Sequence, residues 1–188
     1  MASASNPPTA GTVQSPILAS SLTNTSWTKP SYKLPLPSLQ FLFHLECDMD
    51  SFRHIGAGPH GDRSTVIFKG GRFEGPRLRG TILPGGGDWE IIRNHDDQQT
   101  AHLDTRYNLL THDGATIYLQ TTGTRTGKRE VLEKLGQDES ITADKFKMRL
   151  HMTMETGDSR YSWVNDGVFI ASSGRNGDMV IYDAYEVL

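Results

Sequence analysis

Residues 146–155 read FKMRLHMTME, and this stretch decides the fold. Successive side chains of a β-strand point to opposite faces of a sheet, whereas a helix repeats every 3.6 residues. The segment alternates without interruption and is therefore predicted to be a strand with two unlike faces. The apolar face carries Phe146, Met148, Leu150, Met152 and Met154, and the polar face carries Lys147, Arg149, His151, Thr153 and Glu155.

Alternation recurs in AHLDTRYN (101–108), TIYLQTT (116–122) and RYSWVND (160–166). Together with similar runs elsewhere, these give eight or nine candidate strands with turn residues every 8 to 12 positions. Such spacing predicts an all-β barrel or sandwich. The one helical candidate, KREVLEKLGQDE (128–139), is too brief to connect parallel strands.

The polar faces of these strands allow two arrangements. They face solvent while the apolar rows fill a core, which is the usual arrangement in antiparallel sheets. Alternatively, the polar rows line a barrel interior while the apolar rows pack against a helix, a second sheet or another subunit. Periodicity does not choose between the two.

Composition narrows the possible functions. With 188 residues the chain has the size of one domain, and its net charge of -3 leaves no basic field for nucleic acid. Cys47 is the only cysteine, which excludes an internal disulfide and any multi-thiolate metal site. No apolar run approaches the ~20 residues that cross a membrane. A soluble, cytoplasmic protein is expected.

Two motifs that suggest cofactors have simpler interpretations. GAGPHG (56–61) matches a dinucleotide-binding spacing, but the β-branched run after it and Pro59 within it predict a hairpin turn. His95, Asp96 and Asp97 lie in a polar run typical of a hairpin tip, so no metal site is expected there.

The N-terminal segment differs in composition from the rest. Residues 1–37 hold six of the nine prolines and only two charged side chains. We interpret them as a disordered or extended tail, followed by a single domain at 38–188.

Four segments in order resemble one family, catalogued as domain of unknown function 3237 and also called UPF0311. They are GGRFEGPRLRGTILPGGGDW (70–89), LDTRYNLLTHDGATIYLQTTG (103–123), ETGDSRYSWVN (155–165) and VIYDAYEV (180–187). The resemblance covers about residues 38–188. It implies a small antiparallel β-barrel, a lipocalin-like closed sheet with a central pocket.

The tail and an insertion at 126–144 are similar to fungal members of that family. Some of these act in aromatic polyketide pathways, including phenalenone biosynthesis. The resemblance implies a cofactor-independent cyclase that catalyses hydroalkoxylation. A phenol oxygen would add across a prenyl alkene to form a dihydrobenzofuran-type ring.

That resemblance also implies a site on the polar faces. The catalytic candidates are Asp104, Arg106, Tyr118 and Arg149. The substrate-binding candidates are Trp89, Tyr107, His151, Tyr161, Trp163 and Asn165. The expected partner is a small prenylated aromatic substrate, without metal or other cofactor, and homo-oligomerisation is left open. The alternative is a lipocalin-like protein that binds an apolar aromatic metabolite unchanged.

Overall fold

The computed structural model describes residues 35–188, which form one antiparallel sheet of nine strands closed on itself. The predicted all-β barrel with a closed sheet is confirmed. The strands are β1 (Leu39–Gly58), β2 (Gly61–Glu74), β3 (Gly80–Ile82), β4 (Gly87–His95), β5 (Gln98–Thr111), β6 (Thr116–Lys128), β7 (Lys147–Glu155), β8 (Phe169–Asn176) and β9 (Met179–Val187). The predicted tail at 1–37 lies outside the described residues as far as residue 34.

Closure comes from pairing of the first strand with both β2 and β9. From β1 the ring runs through β9, β8, β7 and β6 to β5. Strand β5 pairs with both β3 and β4, and each of these also pairs with β2. Strand β2 pairs with β1, which closes the ring. A closed ring leaves no long unpaired edge that would invite aggregation.

The two motifs treated as turns are turns. In GAGPHG, Gly58 pairs with Gly61 across the β1–β2 hairpin. Gly61 has a φ of 128°, which a residue with a Cβ rarely adopts. His95 pairs with Gln98 across the β4–β5 hairpin, whose turn contains Asp96 and Asp97.

Large apolar side chains fill one end of the barrel interior, which we call the apolar plug. Phe43 lies edge-on to Phe73 at 5.6 Å between ring centroids, and burial of such rings dominates core energetics. Each member of the plug is at most 2% exposed: Phe43, Phe73, Leu109, Ile117, Leu119, Met152, Met154, Phe169 and Tyr182.

Strand β7 decides between the two arrangements of the polar faces. Met148, Leu150, Met152 and Met154 are buried in the interior, whereas Lys147, Arg149, His151, Thr153 and Glu155 are exposed. The barrel is therefore filled by its apolar rows, and the polar rows face outward.

Two predicted elements differ from the structure. RYSWVND is not a strand, because residues Ser159–Asn165 form a 3₁₀ helix. Tyr161 and Val164 are its buried residues, and a spacing of three matches the three residues per turn of that helix. The helix expected at 128–139 is limited to α1 (Arg129–Leu132), and the chain reverses at Gly136 with a φ of 94°.

No helix between residues 35 and 188 has the length and apolarity needed to cross a membrane.

The plug predicts a large difference between two phenylalanines of β1. Phe43 is 0% exposed and Phe52 is 61% exposed. Phe43→Ala is expected to lower the free energy of unfolding by about 3–5 kcal/mol, because a cavity replaces the ring. Phe52→Ala is expected to change it by less than about 0.5 kcal/mol. Urea unfolding followed by circular dichroism measures both, and equal losses would contradict the assignment of the plug.

Candidate functional site

A cavity of about 250 Å³ occupies the barrel interior beyond the apolar plug. Phe68 and Tyr107 form its floor, with their rings stacked at 5.0 Å and 15°. Leu103, Met148 and Leu150 supply apolar wall. An apolar cavity of about 150 Å³ can hold benzene, so this one has room for a ring with several substituent atoms.

Asp88 brings a carboxyl to the inner end of this cavity. Its strand, β4, pairs Asp88 with Thr105 of β5, and the Asp104 backbone N–H donates to Asp88 Oδ1 at 3.0 Å. Burial and, second to it, the negative charge of Glu90 raise the pKa of Asp88 to about 6, although the hydrogen bond from the Asp104 N–H acts to lower it. Asp88 therefore gains and loses its proton close to neutral pH.

Glu90 follows two residues later on the same face of β4 and forms a buried ion pair. Arg125 Nη2 of β6 lies 3.3 Å from Glu90 Oε2, and the two side chains are only 11% and 6% exposed. The Arg125 Nε–H and the Thr121 hydroxyl have no hydrogen-bond partner among the described residues. A buried polar group without a partner costs about 1–3 kcal/mol, so both are positioned for a ligand or water.

Arg175 of β8 adds a second guanidinium to the cavity wall. Its Nε donates to the Gly177 carbonyl at 2.8 Å, and its Nη2 lies 3.8 Å from Asp178 Oδ1. Burial and then the charge of Arg125 lower the pKa of Arg175. The two guanidinium groups are therefore close enough to repel each other.

The segment after β6 packs against the Arg175 side chain. A Cβ added at Gly136 would lie 2.5 Å from Arg175 Nη2. The φ of 94° at Gly136 also disfavours any side chain there. Leu132 and Leu135 of this segment are buried, which anchors it to the barrel.

Three of the four predicted catalytic residues meet on the outer face of the barrel. Arg106 Nη1 lies 3.0 Å from Asp104 Oδ1, which also accepts a hydrogen bond from Gln120 Nε2 at 2.9 Å. Tyr118 donates to Gln120 Oε1 at 3.5 Å, and the Arg106 guanidinium lies 5.7 Å from the Trp89 ring centroid.

Sequence alone left two arrangements open for this row, and in the structure it faces outward and does not line the barrel interior. Strand alternation points Leu103, Thr105 and Tyr107 inward and leaves the Asp104 and Arg106 side chains 43% and 42% exposed. Arg149, the fourth catalytic candidate, is exposed on the outer face of β7. Catalytic roles for these residues stay predictions.

The substrate-binding candidates are also dispersed. His151 is exposed on β7, whereas Tyr161, Trp163 and Asn165 belong to the 3₁₀ helix. The Trp163 ring lies under the Arg77 guanidinium at 3.8 Å, and Asn165 bonds to the backbone of Thr156. Tyr107 is the one predicted site residue that lines the cavity.

Sequence reasoning missed the ionisable groups of the interior: Asp88, Glu90, Arg125 and Arg175. A signal existed for one of them. Arg125 lies an even number of residues after Ile117 and Leu119 on β6 and therefore on the same face of the strand. The sequence thus places a charge on an apolar row. A charged residue in register with core positions indicates an interior site more directly than a fully polar row does.

No three His, Cys, Asp or Glu side chains of residues 35–188 cluster in a way that could hold a metal ion.

A closed sheet with one end packed and the other end hollow, with apolar and ionisable side chains around the hollow, is a β-barrel with an interior cavity. The chain belongs to the family described as protein of unknown function DUF3237, whose model matches residues 37–187.

Relatives and solved structures agree with that membership. A UPF0311 protein of Rhodopseudomonas palustris is 33% identical over 141 residues, which is 75% of this chain and 88% of the relative. A β-barrel-like protein from Acinetobacter baumannii is 38% identical with a TM-score of 0.72, covering 84% of this chain and 99% of that one. An enzyme from Penicillium herquei shares the fold at 19% identity and a TM-score of 0.57, over 83% of this chain and 98% of that one.

Asp88 makes the stability of the protein depend on pH. Its pKa is about 6 in the folded protein against an ordinary 3.8, so between these values the unfolded chain ionises first. Unfolding is thereby favoured as pH rises, by at most about 3 kcal/mol above pH 6. Asp88→Asn keeps an acceptor for the Asp104 N–H and removes this cost.

Thermal unfolding measures the effect. Asp88→Asn is expected to melt close to the wild type at about pH 4 and several degrees above it at about pH 8. Asp97→Asn, at the exposed β4–β5 turn, serves as the control and is expected to follow the wild type throughout. A constant difference between Asp88→Asn and the wild type across this range would contradict the raised pKa.

Proposed function

We propose that the protein is a cofactor-independent cyclase of fungal aromatic polyketide metabolism. It catalyses intramolecular hydroalkoxylation, in which a phenol oxygen adds across a prenyl alkene to form a dihydrobenzofuran-type ring. The observation that carries this proposal is Asp88, a carboxyl with a pKa of about 6 in a cavity with room for one substituted ring. The reaction is an isomerisation and needs acid–base catalysis without electron transfer.

Asp88 can complete the proton balance by itself. In its protonated form it delivers a proton to one alkene carbon, and positive charge develops on the other. The phenol oxygen forms the new C–O bond at that second carbon. The phenol proton then passes to the Asp88 carboxylate, so that one C–H and one C–O bond replace the alkene π bond and the O–H bond, and the acid is restored.

The remainder of the cavity positions the substrate. The stacked Phe68 and Tyr107 offer an aromatic surface at the floor, and Leu103, Met148 and Leu150 offer an apolar wall. Holding the phenol and the alkene in a near-attack arrangement supplies several of the ~7–11 kcal/mol that proximity can contribute. An apolar wall also limits capture of the developing cation by water.

The pH dependence follows from the protonation state of Asp88. The general acid must be protonated, so the rate is expected to be constant at low pH and to fall about tenfold per pH unit above about 6. Initial rates of ring closure across this range measure it. A rate that rises through pH 6 would indicate a carboxylate base and contradict the proposed acid.

The direct test uses 2-(1,1-dimethylallyl)phenol and chiral chromatography with mass detection. Protonation of the terminal carbon of this alkene places the positive charge on the carbon that closes a five-membered ring and becomes a stereocentre. The wild type is expected to form one enantiomer of the cyclised isomer, and Asp88→Asn is expected to lower the rate by about 10²–10⁴-fold, the range for loss of a general acid. The same substitution at Asp104 on the outer face decides between the two carboxyls. Loss of activity in Asp104→Asn with retention in Asp88→Asn would overturn the interior site. Tight retention of unchanged 2-(1,1-dimethylallyl)phenol by the wild type would instead identify the metabolite-binding alternative.

A further inference from the structure

The buried charges of the cavity do not cancel when Asp88 is protonated. Arg125 and Arg175 carry two positive charges, and Glu90 carries one negative charge. Asp50 and Asp178 also line the cavity, but both are exposed, Asp178 with 88% of its side chain, so solvent screens most of their effect. With Asp88 protonated, as it is below about pH 6, the interior is therefore one negative charge short of neutrality.

The Arg125 guanidinium is also incompletely bonded. Glu90 engages Nη2, while the Nε–H is buried and has no partner among residues 35–188. A guanidinium presents its N–H groups as a planar fork that matches the two oxygens of a delocalised oxyanion. Thr121, four residues earlier on the same face of β6, is 0% exposed and has an unpartnered hydroxyl as a second group for a ligand.

We infer that the cavity binds an aromatic ligand with one delocalised oxyanion, and that the Arg125 guanidinium holds this charge. The oxyanion is a carboxylate or an acidic phenolate or enolate, because these share the planar acceptor geometry that the fork recognises. It neutralises the excess positive charge that Arg125 and Arg175 share. Arg125 is thus the residue that determines which ring compounds the barrel accepts.

The location of Arg125 fixes the direction of the ligand. Glu90, its partner, stands two residues from Asp88 on one face of β4, a separation of about 7 Å. That is about the width of one substituted ring. The oxyanion then lies beside Arg125 and the alkene beside Asp88. This placement defines the substrate class of the proposed cyclase, and it therefore rests on that proposed function.

Benzoate and benzamide form the first pair of probes, because they share shape and differ in charge. At about pH 5, where Asp88 is protonated and benzoate is ionised, isothermal titration calorimetry is expected to show at least about tenfold tighter binding of benzoate by the wild type, the effect of ~1.4 kcal/mol. Arg125→Gln is expected to abolish the preference. Arg79→Gln, at an exposed arginine of the β2–β3 connection, is expected to keep it.

Arg125→Gln leaves Glu90 buried without its partner and can prevent folding. The double variant Glu90→Gln/Arg125→Gln replaces both partners, which is far less costly, and is expected to fold and to bind both probes equally. Thr121→Val removes a hydroxyl without a partner, so it is expected to leave the melting temperature unchanged or higher while weakening benzoate binding. If Thr121 had only a structural role, its substitution would not weaken benzoate binding while leaving the melting temperature unchanged or higher.

A second pair, 2,4-dinitrophenolate and 2,4-dinitroanisole, distinguishes a phenolate from a carboxylate ligand, because this phenol is acidic enough to be ionised while Asp88 is protonated. A charge preference in either pair that disappears in the double variant supports the inference. Equal affinity of the wild type for the charged and neutral member of both pairs would overturn it, even if 2-(1,1-dimethylallyl)phenol is cyclised. An oxyanion preference without ring closure would instead overturn the cyclase and leave the binding site standing.

Discussion

The constraint on which the rest of the structure depends is the in–out alternation of side chains in a sheet that closes on itself. Every strand residue points either to the barrel axis or to solvent, and closure removes any third environment. Asp104 and Thr105 are neighbours on β5, yet Asp104 forms an exposed ion pair and Thr105 is buried beside Asp88. The chemistry of the interior is thus fixed by register as much as by residue type.

The two ends of the interior have opposite energetic roles. The apolar plug buries large side chains almost completely and supplies hydrophobic stabilisation. The hollow end contains a carboxyl that resists ionisation and the Glu90–Arg125 pair, whose desolvation offsets much of its attraction. Groups of this kind persist where they are useful to ligand binding, since well-packed apolar residues in their place are often as stable.

Sequence alone predicted the strands and, through four family motifs, the closed barrel, because alternation over eight or more residues is a strong signal, as in FKMRLHMTME. It could not predict which face encloses the axis, since alternation is symmetric between faces. Both placements therefore stayed open for Asp104, Arg106 and Tyr118, which the structure shows as an outer patch. In RYSWVND, aromatic residues with a spacing of two imitated a strand, and the buried pair Tyr161 and Val164 instead follows a 3₁₀ turn. Tyr107 was named as a substrate-binding candidate from a family motif, whereas Asp88 lay in another matched motif without an assigned role.

The segment between β6 and β7 has a consequence for how such barrels diversify. It meets the Arg175 side chain at Gly136, where no Cβ fits, and thereby limits the directions that this guanidinium can take. Surface connections change length at little cost to a fold, because loop closure entropy grows only slowly with length. A shorter or longer connection here would let Arg175 take other directions, so the cavity could accept different ligands without a change in any strand.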